Sequence, residues 1–403
     1  MSIQPAIVQA YDQPHQFEPL LPGVGLDALA LQARPVIEAA LRLQGATNEA
    51  TRGEIRALVR SMNSYYSNRI EGQSTHPLNI ERALKADFSD QPNVAKRQRL
   101  ALAHIRAEMA LEAAAPTEAQ ALHSRTLVMA HQSLYAQLSG PDRLSDEGRS
   151  VEPGALRSED VTVARHQPPA WASVPQFLAR TDAVYARDWG LDRLLVVAAC
   201  AHHRLVWVHP FLDGNGRAVR LQLHAVLHHL SGGLWSANRG LARQRDAYYA
   251  RLSEADMPRH GDTDGRGNLS EKMLRAWCEF FIDLCHDQVR FMAQALDLPA
   301  LKERLAGLVL VRSQQGDAST YRPEAILALH HVLAAGPVAR GDFVQMTGLA
   351  ERTGRKVLAK LLEDGLLQSD TPKGAVRIGF PLDSLHLLFP NLYPEAATAV
   401  QDA

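Results

Sequence analysis

Twelve consecutive residues, His209-Pro210-Phe211-Leu212-Asp213-Gly214-Asn215-Gly216-Arg217-Ala218-Val219-Arg220, put a base, a carboxylate, two glycines and two arginines within reach of one anion. The glycines allow left-handed backbone angles in a tight turn. Val219, Leu221, Leu223, Val226, Leu227 and Leu230 follow as an amphipathic run, so the turn feeds a helix N-terminus. The unpaired N–H groups there, with the helix dipole, make a seat for phosphate. Arg217 and Arg220 are three apart and share a helix face. Two guanidinium groups beside that seat suit a di- or triphosphate. Asp213 is a hard oxygen ligand fit for Mg²⁺ bridging phosphates. His209, just before the turn, can act as a base near neutral pH. Together these parts describe nucleophilic substitution at a nucleotide phosphate. A glycine turn before a helix is commonplace on its own; the order of all twelve residues makes the pattern specific.

That stretch resembles, without a gap, the Fic-family signature HPF-x-(D/E)-GN-(G/K)-R-x-x-R. The resemblance extends over residues 40–300. Residues 152–169, with Gly154, Arg157, Val161 and the pair Pro168-Pro169, resemble the family's target-docking flap. Leu234-Trp235-Ser236, Arg239-Gly240-Leu241-Ala242-Arg243 and Tyr248-Tyr249 resemble its region after the motif. The resemblance implies transfer of AMP from ATP to a Ser, Thr or Tyr hydroxyl of a protein, or of the chain itself, with release of pyrophosphate. His209 would take the hydroxyl proton and Asp213 would hold Mg²⁺. The N–H groups of Gly214, Asn215 and Gly216 would stabilise developing charge. Arg217 and Arg220 would clamp the outer phosphates, and Tyr248 or, preferentially, Tyr249 would line the adenine pocket. Gly216 favours AMP transfer, because relatives with Lys at that position can transfer the γ-phosphate.

Ser67-Asn68-Arg69-Ile70-Glu71-Gly72 resembles the family's inhibitory pattern (S/T)-x-x-x-E-(G/N). Ser67 and Glu71 are four apart and share a helix face, and Gly72 is free to end the helix. By resemblance, Glu71 pairs with Arg220 and keeps the γ-phosphate from it. The position ahead of the catalytic motif resembles the class restrained by its own N-terminal helix. In some relatives the same Glu supports removal of AMP, so a de-adenylylating or bifunctional enzyme is the rival reading.

These residues need helices to hold them. Helical periodicity runs through 26–43, 55–70, 94–114, 118–138, 174–187, 191–207, 217–231, 241–255 and 270–297, with a further start at Pro77. Pro35 predicts a helix start or kink. Residues 1–20 read as an extended arm. Between 139 and 170, Gly and Pro accumulate around Val161-Thr162-Val163, which predicts a flap hairpin. The fold class is mainly α: a Fic helical bundle with a small β-hairpin flap, plus a C-terminal winged-helix domain. The expected divisions are 1–95 (helical region with the inhibitory motif), 96–300 (catalytic domain), 301–320 (linker, polar over 313–320) and 321–403 (winged-helix-like). Within the last, helices fit 324–335, 340–347 and 351–364, and Ala375-Val376-Arg377-Ile378 alternates like a strand.

Charge narrows the partners. The chain has 403 residues and a net charge of -1, which argues against dominant electrostatic binding of nucleic acid. The third C-terminal helix carries Arg352, Thr353, Arg355, Lys356 and Lys360, yet residues 321–380 hold only eight Lys/Arg against six Asp/Glu. An ATP-sensing, DNA-binding regulator is therefore an alternative that is not favoured. The favoured partner is a protein substrate docked at the 152–169 flap, and a homodimer is compatible with the resemblance. No run is long and apolar enough for a membrane span, and the N-terminus lacks a signal-peptide pattern, so a cytoplasmic location is expected. Cys200, Cys278 and Cys285 sit in apolar runs without a CxxC pair, which predicts buried thiols rather than a disulfide or zinc framework. Residues 262–267 resemble the start of a calcium loop, but Arg266 and Met273 stand where ligands are required. His202-His203 read as packed or capping histidines. The pairs His228-His229 and His330-His331 show no ligand spacing.

Overall fold

The structure, a computed structural model, describes residues 11–115, 117–145, 147–163, 166–315 and 321–394. It is mainly helical. In chain order the helices are α1 (Leu26–Ala46), α2 (Glu49–Ile70), α3 (Pro77–Leu84), α4 (Pro92–Ala114), α5 (Glu118–Leu122), α6 (Ser124–Tyr135), α7 (Val174–Tyr185), α8 (Leu191–Val208), α9 (Asn215–Ser231), α10 (Asn238–Arg243), α11 (Arg245–Ala255), α12 (Glu271–Ala295), α13 (Leu298–Gln315), α14 (Ala325–Ala335), α15 (Arg340–Met346), α16 (Glu351–Glu363) and α17 (Leu385–Leu388). Strands β1 (Leu367–Gln368) and β2 (Arg377–Ile378) pair antiparallel, Leu367 opposite Ile378.

The bundle is built around α8 and α9. Residues 194–201 of α8 are buried on every side, as expected of a helix apolar all round. It packs on α9, α1, α7 and α12, while α9 also meets α4 and α6. Helix α12 is amphipathic instead, turning Leu274, Trp277, Phe281, Leu284 and Val289 inward. Ser270 starts it by accepting the Met273 N–H. The two central helices meet end to end at the short 209–214 turn, so their packing fixes the turn's position.

Several local expectations change. Pro35 sits inside an unbroken α1, on its exposed face, where water can serve the carbonyl that loses its donor. The helix expected over 118–138 breaks at His123, whose backbone is extended and whose ring accepts the Arg125 N–H. The helix expected over 241–255 breaks at Gln244. Residues 1–10 of the expected arm lie outside the described residues; beyond them Pro14–Phe17 forms a 3₁₀ turn, and Phe17 is buried against Phe177 and Trp207. Most of the linker expected over 301–320 is helix α13, with Leu301, Leu305, Leu308 and Val309 buried; residues 316–320 lie outside the described residues. In the expected flap, Val163 and His166 form one antiparallel bridge, and 164–165 lie outside the described residues. The boundary expected at 95/96 falls inside α4.

Helices α14, α15 and α16, then β1 and β2, form a C-terminal unit with Leu329, Val332, Phe343, Val357, Leu361 and Ile378 at its core. Residues 395–403 of the expected C-terminal domain lie outside the described residues. Helix α2 lies between this unit and the bundle, touching α4, α9 and α10 on one side and α14 and β2 on the other. Polar contacts fasten it to the C-terminal unit. Arg377 Nε donates to Glu54 at 2.6 Å, and Thr51 Oγ1 to the Leu333 carbonyl at 3.0 Å.

Candidate active site

The 209–214 turn is held shut from within. Asn215 Oδ1 accepts the Phe211 N–H and its Nδ2 donates to the Phe211 carbonyl, both at 2.8 Å. His209 ends α8 with φ 49° and Gly214 precedes α9 with φ 75°. Gly214 has a second reason to be glycine: a Cβ there would lie 2.5 Å from the Tyr135 ring and hydroxyl. Its own N–H donates to Asp213 Oδ1 at 2.5 Å. As first-turn amides, those of Asn215 and Gly216 have no intrahelical acceptor and remain available to an anion.

His209 is partly buried, and desolvation lowers its pKa to about 4, with the charges of His166 and Arg157 adding to the effect. The ring is therefore neutral at pH 7, the state a base requires. Arg157 of the flap fixes the backbone beneath it. Arg157 Nε donates to the His209 carbonyl at 2.9 Å, Nη1 to the Glu159 carbonyl at 3.0 Å and Nη2 to the Pro169 carbonyl. Its own N–H donates to the Pro210 carbonyl.

His131, which sequence reasoning missed, joins the flap to the turn. Its Nε2 donates to the Asp213 carbonyl at 3.1 Å, and its Nδ1 accepts the Gly154 N–H at 2.9 Å. The ring stacks on Phe211 at 3.9 Å between centroids. Burial lowers its pKa to about 4, so the neutral tautomer is set by these two bonds.

Both loop arginines are occupied by the end of α2. Arg220 Nε donates to Ser67 Oγ at 3.0 Å, and Nη2 donates to the Ser67 carbonyl at 3.1 Å and to Glu71 Oε1 at 2.6 Å. Burial alone would raise the Glu71 pKa; Arg220 and then Arg217 outweigh it, and the carboxylate is ionised. Gly72 takes φ 72° and ends the helix, and Gln73 N–H returns to the Asn68 carbonyl at 2.9 Å. Gln73 is the second missed residue: its Oε1 accepts from Arg217 Nη1 at 2.7 Å. Arg217 Nη2 donates to Tyr135 at 3.0 Å. A Cβ on Gly216 would lie 2.5 Å from Glu71 Oε1, so the carboxylate sits directly over the turn.

A cavity of about 260 Å³ opens beside the turn, lined by Gln73, Lys96, Tyr135, Asp142, Asp213 and Arg217 among others. Asp213 uses one carboxylate oxygen on Gly214; the other has no hydrogen bond among the described residues. A partly exposed carboxylate 3.9 Å from Arg217, with a spare oxygen, fits a Mg²⁺-bound phosphate. Every sequence-predicted site residue from His209 to Arg220, with Ser67, Glu71 and Gly72, thus falls at one place. Tyr249 is half exposed at the end of α2, its hydroxyl 3.4 Å from the Ile70 carbonyl and its ring beside Arg245, whereas Tyr248 is buried against His202.

Parts of the chain are similar to known proteins. Residues 117–227 match the sequence model of the Fic/DOC family. A protein from Nematostella vectensis named protein adenylyltransferase Fic is 34% identical over 121 residues, 30% of this chain and 27% of that protein. Protein adenylyltransferase fic-1 of Caenorhabditis briggsae is 34% identical over 131 residues, 27% of this chain and 25% of that protein. The chain thus spans about a quarter of the length of these curated relatives. The solved structure of Fic-1 (aa134–508) from C. elegans has the same fold, with a TM-score of 0.51 and 19% identity over 67% of this chain and 73% of that one.

Proposed function

We propose, from the match of residues 117–227 to the Fic/DOC family and from the site geometry, that the chain is a protein adenylyltransferase restrained by its own α2. The observation that carries this reading is the 2.6 Å ion pair between Glu71 and Arg220. It takes the guanidinium that an outer phosphate of ATP would need, and it puts a negative charge over the phosphate seat. With Glu71 withdrawn, the neutral His209 ring accepts the proton of a target Ser, Thr or Tyr hydroxyl. The hydroxyl oxygen bonds to the α-phosphorus, the bond to the β-phosphate oxygen breaks, and pyrophosphate leaves. Asn215 and Gly216 amides face the developing charge. Asp213 would hold Mg²⁺, which supplies charge neutralisation at the phosphates. Arg217 and Arg220 orient the leaving group.

The protein substrate is proposed to lie along the 152–169 flap as an added strand, read through its backbone. Removal of AMP is a second reading, favoured by the ionised Glu71 carboxylate above the turn. DNA binding gains little support: in α16, Arg355 is paired with Glu351 and Lys360 with Glu363 and Asp364. Among the described residues no helix is long and apolar enough to cross a membrane.

Transfer of label from α-labelled ATP tests the proposal. Label on the protein or on a lysate target should rise at least tenfold in Glu71→Gly and vanish in Glu71→Gly/His209→Ala. No label in any variant that still binds ATP would overturn AMP transfer. Loss of label from a pre-adenylylated target in wild type alone would support AMP removal instead.

A further inference from the structure

Away from the phosphate seat, four ligating side chains meet between two facing helices. Helix α4 supplies Glu108 and Glu112, and α9 supplies His224 and His228. Each pair is four residues apart and so shares one face. His224 Nε2 lies 3.2 Å from Glu108 Oε1 and 3.2 Å from Glu112 Oε1. His228 Nδ1 lies 3.7 Å from Glu112 Oε1. Ligand bonds of roughly 2.0–2.1 Å in a tetrahedral zinc site put neighbouring ligand atoms roughly 3.3–3.4 Å apart. The two distances to Glu112 Oε1, 3.2 and 3.7 Å, lie on either side of that spacing. Hydrogen bonding leaves the cluster short of donors: one imidazole N–H faces two carboxylate oxygens, and among the described residues His228 Nδ1 has no hydrogen-bond partner.

We propose that His224, His228 and Glu112, whose ligand atoms all lie within 4.8 Å of one another, form a binding site for a divalent metal of the zinc class, with the fourth position taken by water and Glu108 beside it. Two imidazoles among the ligands disfavour Mg²⁺ and Ca²⁺, which take oxygen. The metal displaces the proton of His224 Nε2, which passes to Nδ1 and keeps the ring neutral, and its two charges offset those of the two carboxylates. Asn63 then turns its amide so that Oδ1, without a hydrogen-bond partner among the described residues, accepts from Nδ1. An outer layer is present. Arg60 holds Glu112 side-on, Nη2 donating to Oε2 at 2.5 Å and Nε to Oε1 at 3.3 Å, so Oε1 is the more loosely held oxygen and keeps a lone pair for the metal. Asn63 Nδ2 lies 3.0 Å from Glu108 Oε1 and 3.2 Å from His224 Nδ1. Such outer partners orient ligands and tune affinity. Both belong to α2, so occupancy ties α2 to α4 and α9. His228 is the most exposed of the four and marks the route of entry. The site is eleven residues along the chain from Asp213, roughly 16 Å along α9 at 1.5 Å per residue, and it stands independently of the proposed transfer reaction.

The full-length, tag-free chain, stripped with EDTA, is titrated with Co²⁺ as a spectroscopic probe and with Zn²⁺ in a calorimeter. One equivalent should bind, with the visible bands of four-coordinate Co²⁺ and no thiolate charge-transfer band. Zn²⁺ should also raise the melting temperature by mass action. His228→Ala, at the edge of the cluster, should keep the helical circular dichroism and weaken binding at least tenfold. Glu112→Gln should do likewise, and His330→Ala, on a remote helix, should bind as wild type. Six-coordinate spectra, several weak equivalents, or His228→Ala binding as tightly as wild type would overturn the site.

Discussion

The phenol of Tyr66 donates to the backbone carbonyl of Leu392 at 2.8 Å, joining α2 to a residue 326 positions later. Tyr393 adds ring contacts to Tyr65 and Tyr66, and Arg239 donates to the Asn391 carbonyl. The C-terminal segment therefore clasps α2 at the residue next to Ser67, in the turn before Glu71. Tyr66→Phe leaves a buried carbonyl without its donor, at a cost of about 1–3 kcal/mol. Label transfer should rise above wild type and stay below Glu71→Gly, because the carboxylate remains. Amide exchange along α2 should quicken. Unchanged exchange would separate the C-terminal segment from the restraint.

Arg157 positions His209 without meeting a reacting atom, since its side-chain bonds go to three backbone carbonyls. Lysine cannot reproduce that planar fork. In the Glu71→Gly background, Arg157→Lys should lower kcat at least tenfold and change KM for ATP less than threefold. A loss confined to KM would place Arg157 in nucleotide binding instead.

Gly214 combines φ 75° with a Cβ position 2.5 Å from Tyr135. The left-handed angle costs an L-residue roughly 1–2 kcal/mol before any overlap. Gly214→Ala should lower stability by about 2 kcal/mol or more in denaturant unfolding. Gly214→Ala/Tyr135→Leu should lose less than the two single changes added together. Additive losses would show that the ring does not limit the turn.

His202 is buried between Tyr248 and Trp277, and burial lowers its pKa to about 3. The unfolded chain protonates it near its ordinary value of roughly 6.5. Below that value the unfolded state binds the extra proton, so stability is full above it and falls as pH drops toward 3. The slope is about 1.4 kcal/mol per pH unit for one group. His202→Gln, which retains an acceptor for Tyr248, should flatten the stability profile between pH 6 and pH 4 by that amount. An unchanged slope would assign the acid sensitivity to other buried histidines.

The site was legible in sequence where it is contiguous. Residues 209–220 carry their own turn, helix start and charges, so local rules suffice. Ser67 and Glu71 were readable because one helix turn puts them together. Gln73, Tyr135 and His131 were not, because tertiary packing alone brings them to Arg217 and Asp213. For the proposed metal cluster, His224 and His228 are four apart and Glu108 and Glu112 repeat that spacing on α4, but packing alone brings the two pairs together. Long helices were found, but breaks at His123 and Gln244 depend on single backbone angles that periodicity does not sense. The linker expected over 301–320 followed polar composition, although Leu301, Leu305 and Leu308 recur at helical spacing.

The two bonds of His131 have a geometric consequence. One imidazole spans Gly154 of the flap and Asp213 of the turn, so the rail for a target strand and the seat for a phosphate keep a constant separation. Under the proposed reaction, that ring works as a ruler. A target is selected by where its hydroxyl falls along the rail, and unrelated chains of the right reach become equivalent.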